Sequence, residues 1–173
     1  MTITEQAAQI QETGATALVR RTEETEGRWF LNGLMTTLAT TAETGGAYCL
    51  MEHVLTAACN PPVHRHEVED EAFYVLEGEL ELVVGGASTI ARPGTYAFAP
   101  RGVDHWFRVL TPQVRVLVLT SGETPGGGTH AFFEAAGSPA PTRDLPTPEA
   151  PDPALLASFA EPRGITLIAP PPA

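Results

Sequence analysis

Three imidazoles and one carboxylate sit in two short segments whose spacing restricts the folds open to this chain. PPVHRHEVEDEAFYVLEGEL carries His64, His66 and Glu71 as HxHx4E, with Gly78 after six further residues. GTYAFAPRGVDHWF carries Gly94, Pro100, Gly102 and His105 as Gx5PxGx2H. Side chains alternate faces along a strand, so His64 and His66 point the same way and can reach one ion. Glu71 stands at an odd offset from His66 and would face the opposite side of a straight strand, so a reversal or bulge must intervene. The polar stretch Glu67, Val68, Glu69 and Asp70 is the expected break. His105 has to arrive from another strand, after the turn Pro100-Arg101-Gly102. A β-barrel that gathers these four groups in its interior has the ligand set of a single divalent metal.

The rest of the sequence agrees with an all-β reading. Strands are expected at 16–20, 28–40, 47–56, 62–66, 71–77, 79–84, 88–91, 95–99, 105–110 and 114–120, separated by turns such as Gly45-Gly46 and Gly85-Gly86. That density of short strands means a sandwich or barrel rather than βαβ units. Thr2-x-x-Glu5 before Ala7, Ala8 and Ile10 is a capping pattern for a short helix or a loose segment over 1–15. The barrel is expected over 16–120. Beyond Thr120, prolines at 139, 141, 146, 148, 151 and 153 exclude continuous sheet, so 121–173 is expected to be a proline-rich arm. Within the arm, Ala131–Glu134 suggests a helical turn, and Asp152-Pro153 reads as the cap and first residue of a helix over 154–160 that stops near Gly164. The apolar end Ile165–Ile168 is expected to dock on the barrel or a partner subunit.

The two motif segments resemble the two motifs of the cupin superfamily. The flanks ATTAETGGAYCLMEHVLT and VLVLTSGETPGGGTHAFFEAAG are similar to those of small bacterial flavonol (quercetin) dioxygenase-like cupins. The resemblance implies a cupin-type β-barrel, the jelly roll or double-stranded β-helix, with His64, His66, Glu71 and His105 as metal ligands. It also implies a glutamate at 71 that both binds the ion and accepts a proton from an enolisable substrate. Two positions depart from the family pattern: Ala58 stands where a glycine is usual, and Val109 where asparagine is often found.

An N3O donor set suits iron(II), nickel(II), manganese(II), cobalt(II) or zinc, and dioxygenase chemistry favours the first three. Alternation places Phe73 and Val75 on the Glu71 face and Phe107 and Val109 on the His105 face, so these are candidate walls for a planar aromatic substrate. Either Tyr48, Leu50 and Glu52 or Cys49, Met51 and His53 face the cavity from a neighbouring strand, which makes His53 a further candidate. His130 is expected to be solvated, and Glu67, Glu69 and Asp70 to form a solvent-facing loop or to guard the cavity entrance. Cys49 and Cys59, without CxxC spacing, are expected as buried thiols.

Three function classes follow: a metal-dependent dioxygenase of a phenolic, enolisable small molecule; a Lewis-acid isomerase, cyclase or lyase of secondary metabolism that uses no oxygen; and a non-catalytic small-molecule binder. A net charge of −11 argues against nucleic acid and anionic membranes as partners. The opening MTITEQAAQI has neither a basic start nor an apolar run, so a cytoplasmic location is expected. A homodimer paired through exposed sheet is expected as well.

Overall fold

The computed structural model describes residues 17–122 and 127–172. The N-terminal segment over 1–15, with its capping pattern, lies outside them.

Among the described residues, twelve strands form two antiparallel sheets facing one another in a jelly roll. In chain order they are β1 (Gly27–Phe30), β2 (Gly33–Ala39), β3 (Cys49–Leu55), β4 (Val63–His66), β5 (Asp70–Glu77), β6 (Leu80–Val84), β7 (Ala87–Ala91), β8 (Tyr96–Ala99), β9 (His105–Val109), β10 (Val114–Ser121), β11 (Ser138–Pro139) and β12 (Ile165–Ala169). Two helices, α1 (Gly128–Ala136) and α2 (Pro153–Ala160), belong to the C-terminal arm. The larger sheet runs β11-β1-β2-β3-β10-β5-β8 and the smaller β12-β4-β9-β6-β7.

Period-two patterning builds the interior. Along β10, Val114, Val116, Val118 and Thr120 are buried while the residues between them are half exposed; β5 does the same with Glu71, Phe73 and Val75. On β3 the inward set is Cys49, Met51, His53 and Leu55. The outward Glu52 is also buried, held by the Arg115 guanidinium at 3.2 Å and the Thr22 hydroxyl at 3.1 Å. Each aliphatic side chain taken fully out of water here contributes about 1.5–3 kcal/mol.

Two expectations fail at the N-terminal end. Residues 17–21 form no strand and lead into a 3-10 turn at Thr22–Glu24. The single strand expected over 28–40 is a hairpin, because Leu31 and Asn32 both adopt positive φ, 45° and 67°, and reverse the chain in two residues. Asn32 is anchored there by bonds from its amide nitrogen to Ala58 O (2.9 Å) and Glu149 O (3.1 Å), and by accepting from Glu149 N (2.8 Å).

The break between the first motif's histidines and its glutamate is a crossing from one sheet to the other: β4 ends at His66 and β5 begins at Asp70. Gly78, seven residues beyond Glu71, closes the next turn with φ 76°; a Cβ there would lie 2.2 Å from the Gln113 carbonyl oxygen.

The arm returns over the barrel and contributes to both sheets. β11 pairs with β1, and β12 lies beside β4 with Ile165 opposite His66 and Leu167 opposite His64. Asp152 caps α2 by accepting from Ala154 N and Leu155 N (2.9 and 3.2 Å). Phe132, Leu156, Ala160 and Ile165 join the main core. Cys49 and Cys59 are free and buried, and burial pushes the Cys49 thiol up to about 12. Among the described residues no helix is long and apolar enough to cross a membrane.

Candidate metal centre

His64, His66 and His105 come from adjacent strands of the smaller sheet, and Glu71 faces them from the larger. His64 and His105 are register partners across β4 and β9, with ring centroids 4.4 Å apart, while the rings of His66 and His105 stack within 13° at 5.5 Å. His66, His105 and Glu71 are buried and His64 is half-buried. One ligand atom from each of the four lies within 4.8 Å of the others, so the group is able to hold a metal ion. Ligands about 2.0–2.2 Å from a common ion lie at most about 4.4 Å apart, so little contraction is needed.

Neighbouring groups assign the same tautomer to all three rings. His64 Nδ1 donates to Pro62 O and His105 Nδ1 to Val103 O, each at 2.9 Å. His66 Nδ1 lies 3.0 Å from Thr129 Oγ1; that hydroxyl spends its proton on Glu69 Oε2 at 2.6 Å and so accepts from the imidazole. Every Nδ1 is thus a donor to the protein, which leaves each Nε2 for a metal. Two of them converge on one carboxylate oxygen: Glu71 Oε2 lies 2.8 Å from His105 Nε2 and 3.5 Å from His66 Nε2. Acceptors this close require a cation among them, either a proton or a metal.

The titration of the cluster shows the same demand. Burial opposes a charge on His66, but Glu71 and Glu69 outweigh it and raise His66 to about 9. Burial opposes the Glu71 charge too, yet His66 and His105 hold its carboxyl well below the usual carboxylate range. His64 moves the other way, to about 3, through burial and then the positive charge of the neighbouring imidazoles.

A family model described as a cupin domain matches residues 51–121. Those residues are a cupin domain. Within the chain, 78 residues (45% of it) are 30% identical to quercetin 2,3-dioxygenase from Bacillus subtilis, and the chain spans 22% of that protein's length. Among solved structures, the polyketide cyclase RemF from Streptomyces resistomycificus is 27% identical with a TM-score of 0.53, covering 62% of this chain and 81% of that one. A RmlC-like cupin from Shewanella frigidimarina, 20% identical with a TM-score of 0.54 over 62% of this chain and 93% of its own, shares the fold.

Beside the cupin site lies a cavity of about 70 Å³ lined by His53, His64, His66, Glu71, Phe107 and Thr129 together with apolar residues of the barrel and arm. Phe73, Val75 and Val109 are buried and face inward without lining this cavity; the Phe73 ring stands edge-on to His105 and to Phe107, with centroids 6.5 Å from each. The inward set on β3 contains His53, and burial lowers its imidazole to about 4. His130 is half-buried rather than solvated.

Glu69 is the main correction to the sequence reading. It is not part of a solvent-facing loop: only 2% of it is exposed, and its carboxylate meets the first turn of α1, accepting from Thr129 N at 2.7 Å as well as from the hydroxyl. Gly128, with φ 58°, makes room for it, since a Cβ there would lie 2.4 Å from Glu69 Oε1. Burial would raise the Glu69 carboxyl, but His66 and the two Thr129 donors hold it below its ordinary value. Asp70, by contrast, pairs with Arg101 at the surface at 2.8 Å. The sequence signal for Thr129 was the glycine run before it, which marks close backbone approach; nothing in the sequence singled out Glu69 from its acidic neighbours. Thr129→Val removes the hydroxyl that relays His66 to Glu69. It is expected to weaken nickel(II) binding by about 10–100-fold with the fold intact, measured by competition with a chelating dye.

Proposed function

We propose that the chain is a metal-dependent dioxygenase acting on a phenolic, enolisable small molecule, with His64, His66, Glu71 and His105 holding one divalent ion, of which iron, nickel or manganese suits the reaction best. The observation that carries this is the convergence of three imidazoles, each with its Nδ1 turned to the protein, and one carboxylate beside a largely apolar cavity that His64, His66 and Glu71 line. The partial identity to a quercetin dioxygenase supports the reaction class. A bound ion of this kind supplies Lewis acidity toward an enol oxygen and a redox partner for dioxygen.

The chain's own residues do the rest. Glu71, which its imidazole neighbours hold ionised in the metal-free chain and a bound cation would hold ionised in their place, accepts the proton of an incoming enol or phenol hydroxyl. Phe107 and the arm residues Phe132, Phe133 and Leu156 exclude water and offer flat apolar walls to an aromatic ring. Ordinary ligand pockets measure about 300–1,000 Å³. At about 70 Å³ the cavity is smaller than that with the arm packed over it, so an aromatic substrate needs more room than this arrangement gives.

A second reading, a Lewis-acid cyclase, isomerase or lyase that uses no oxygen, draws support from the likeness to a polyketide cyclase. The two part in an oxygen electrode. With iron, nickel or manganese restored, enolisable phenols and flavonols are expected to drive stoichiometric oxygen uptake. Equal turnover under nitrogen would overturn the dioxygenase and favour the cyclase.

A further inference from the structure

His53 is an imidazole set where the fold calls for an apolar side chain. It sits mid-strand on β3, opposite Met35 on β2 and Val116 on β10, and the other inward residues of β3 are Cys49, Met51 and Leu55. It is 5% exposed, and its Nε2 has no hydrogen-bond partner among the described residues. A buried polar atom left without a partner is costly, and native structures seldom keep one without a use for it.

The location supplies the use. His53 lines the same cavity as His64, His66 and Glu71, with Phe133 of α1 packed edge-on against its ring at 5.3 Å. Of the other polar side chains there, the three ligand candidates face one another, and the Thr129 hydroxyl is spent between His66 and Glu69. The remaining lining is Phe30, Leu31, Met35, Leu55 and similar apolar groups. A molecule in this cavity therefore finds polar side-chain partners in two places only among the described residues: His64, His66 and Glu71 of the cluster, and His53.

We propose that His53 is a substrate-binding residue whose Nε2 pairs with a second oxygen function of the substrate, the first being held at the metal centre. The substrate class follows. It is a compact, largely apolar and uncharged molecule with an enol or phenol oxygen at one side and a hydroxyl or carbonyl set apart from it. Charged substrates are disfavoured, because His53 is neutral and nothing else on the apolar wall would compensate a buried charge. The proposal rests on the metal-centre reading, and its test separates the two.

Kojic acid and allomaltol share one enolone chelating pair and differ only in that kojic acid carries a hydroxyl on the ring's methyl group. Full-length protein loaded with cobalt(II), its metal content fixed by elemental analysis, is titrated with each compound while the cobalt absorption bands are followed. The wild type is expected to prefer kojic acid by roughly three- to tenfold, the worth of one buried hydrogen bond. His53→Phe is expected to bring the ratio to about one with cobalt content unchanged, and His53→Gln, which restores a polar atom near Nε2, to recover part of it. A preference that persists in His53→Phe, or no response of the cobalt bands to either compound, overturns the substrate-binding role while the metal centre stands. Failure of the wild type to hold cobalt is instead the failure of the metal-centre reading, and the proposal falls with it.

Discussion

Glu71→Gln is expected to lower nickel(II) affinity at pH 7.5 by at least about a hundredfold, more than the loss of a supporting group costs. The substitution keeps the shape of the side chain and removes its charge. Three consequences add. The ion loses its one anionic donor. The amide can present a hydrogen-bond donor to His105 Nε2, 2.8 Å away, which is a nitrogen the metal needs. And the carboxylate that does most to offset the burial of a charged His66 is gone, so the cluster draws a cation of either kind less strongly. Chelator competition measures the affinity, and circular dichroism verifies that the barrel survives. Nickel binding within threefold of wild type would show that Glu71 is not a ligand.

The second large effect is on pH. In the metal-free chain His66 holds a proton up to about pH 9, whereas His64, at about 3, holds none at neutral pH. A metal must displace the His66 proton, so its apparent affinity is expected to rise about tenfold per pH unit from pH 7 to 8.5 and to level off above 9, with about one proton released per ion. Calorimetry in buffers of different ionisation enthalpy counts that proton; a flat profile would contradict the assignment. Stability of the metal-free chain is linked to the same groups. The folded pKa of His66 lies above the unfolded value of about 6.5, so its contribution is fully present below pH 6.5 and is lost as pH rises through about 9. His53 and His64 have depressed folded values, about 4 and 3, so the unfolded chain takes up protons first and stability falls as pH drops below 6.5. A melting temperature highest near pH 6.5 follows.

What could be read from the sequence was local and periodic. The alternation along β5 and β10, the cap at Asp152 and the shared face of His64 and His66 depend on neighbours a few residues away, and spacing records them. The odd offset of Glu71 also foretold a break in the strand. What could not be read was long-range. The Leu31–Asn32 turn is fixed by Asn32's bonds to Ala58 and Glu149, so the stretch over 28–40 looks like one strand until those partners are in place. Glu69 resembles any loop carboxylate until Thr129, sixty residues on, arrives with the arm to bury it. Alternation tells which residues face inward but not how deep they lie, so it does not distinguish Phe107, which lines the cavity, from Phe73, Val75 and Val109.

Anomalous diffraction at the nickel edge, from crystals of the full-length protein grown with one equivalent of nickel(II), tests the central claim directly. The expected map has one strong peak per chain, bonded to the Nε2 atoms of His64, His66 and His105 and to a carboxylate oxygen of Glu71. A map with its peak elsewhere, or with those four side chains unbonded at full nickel supply, would contradict it.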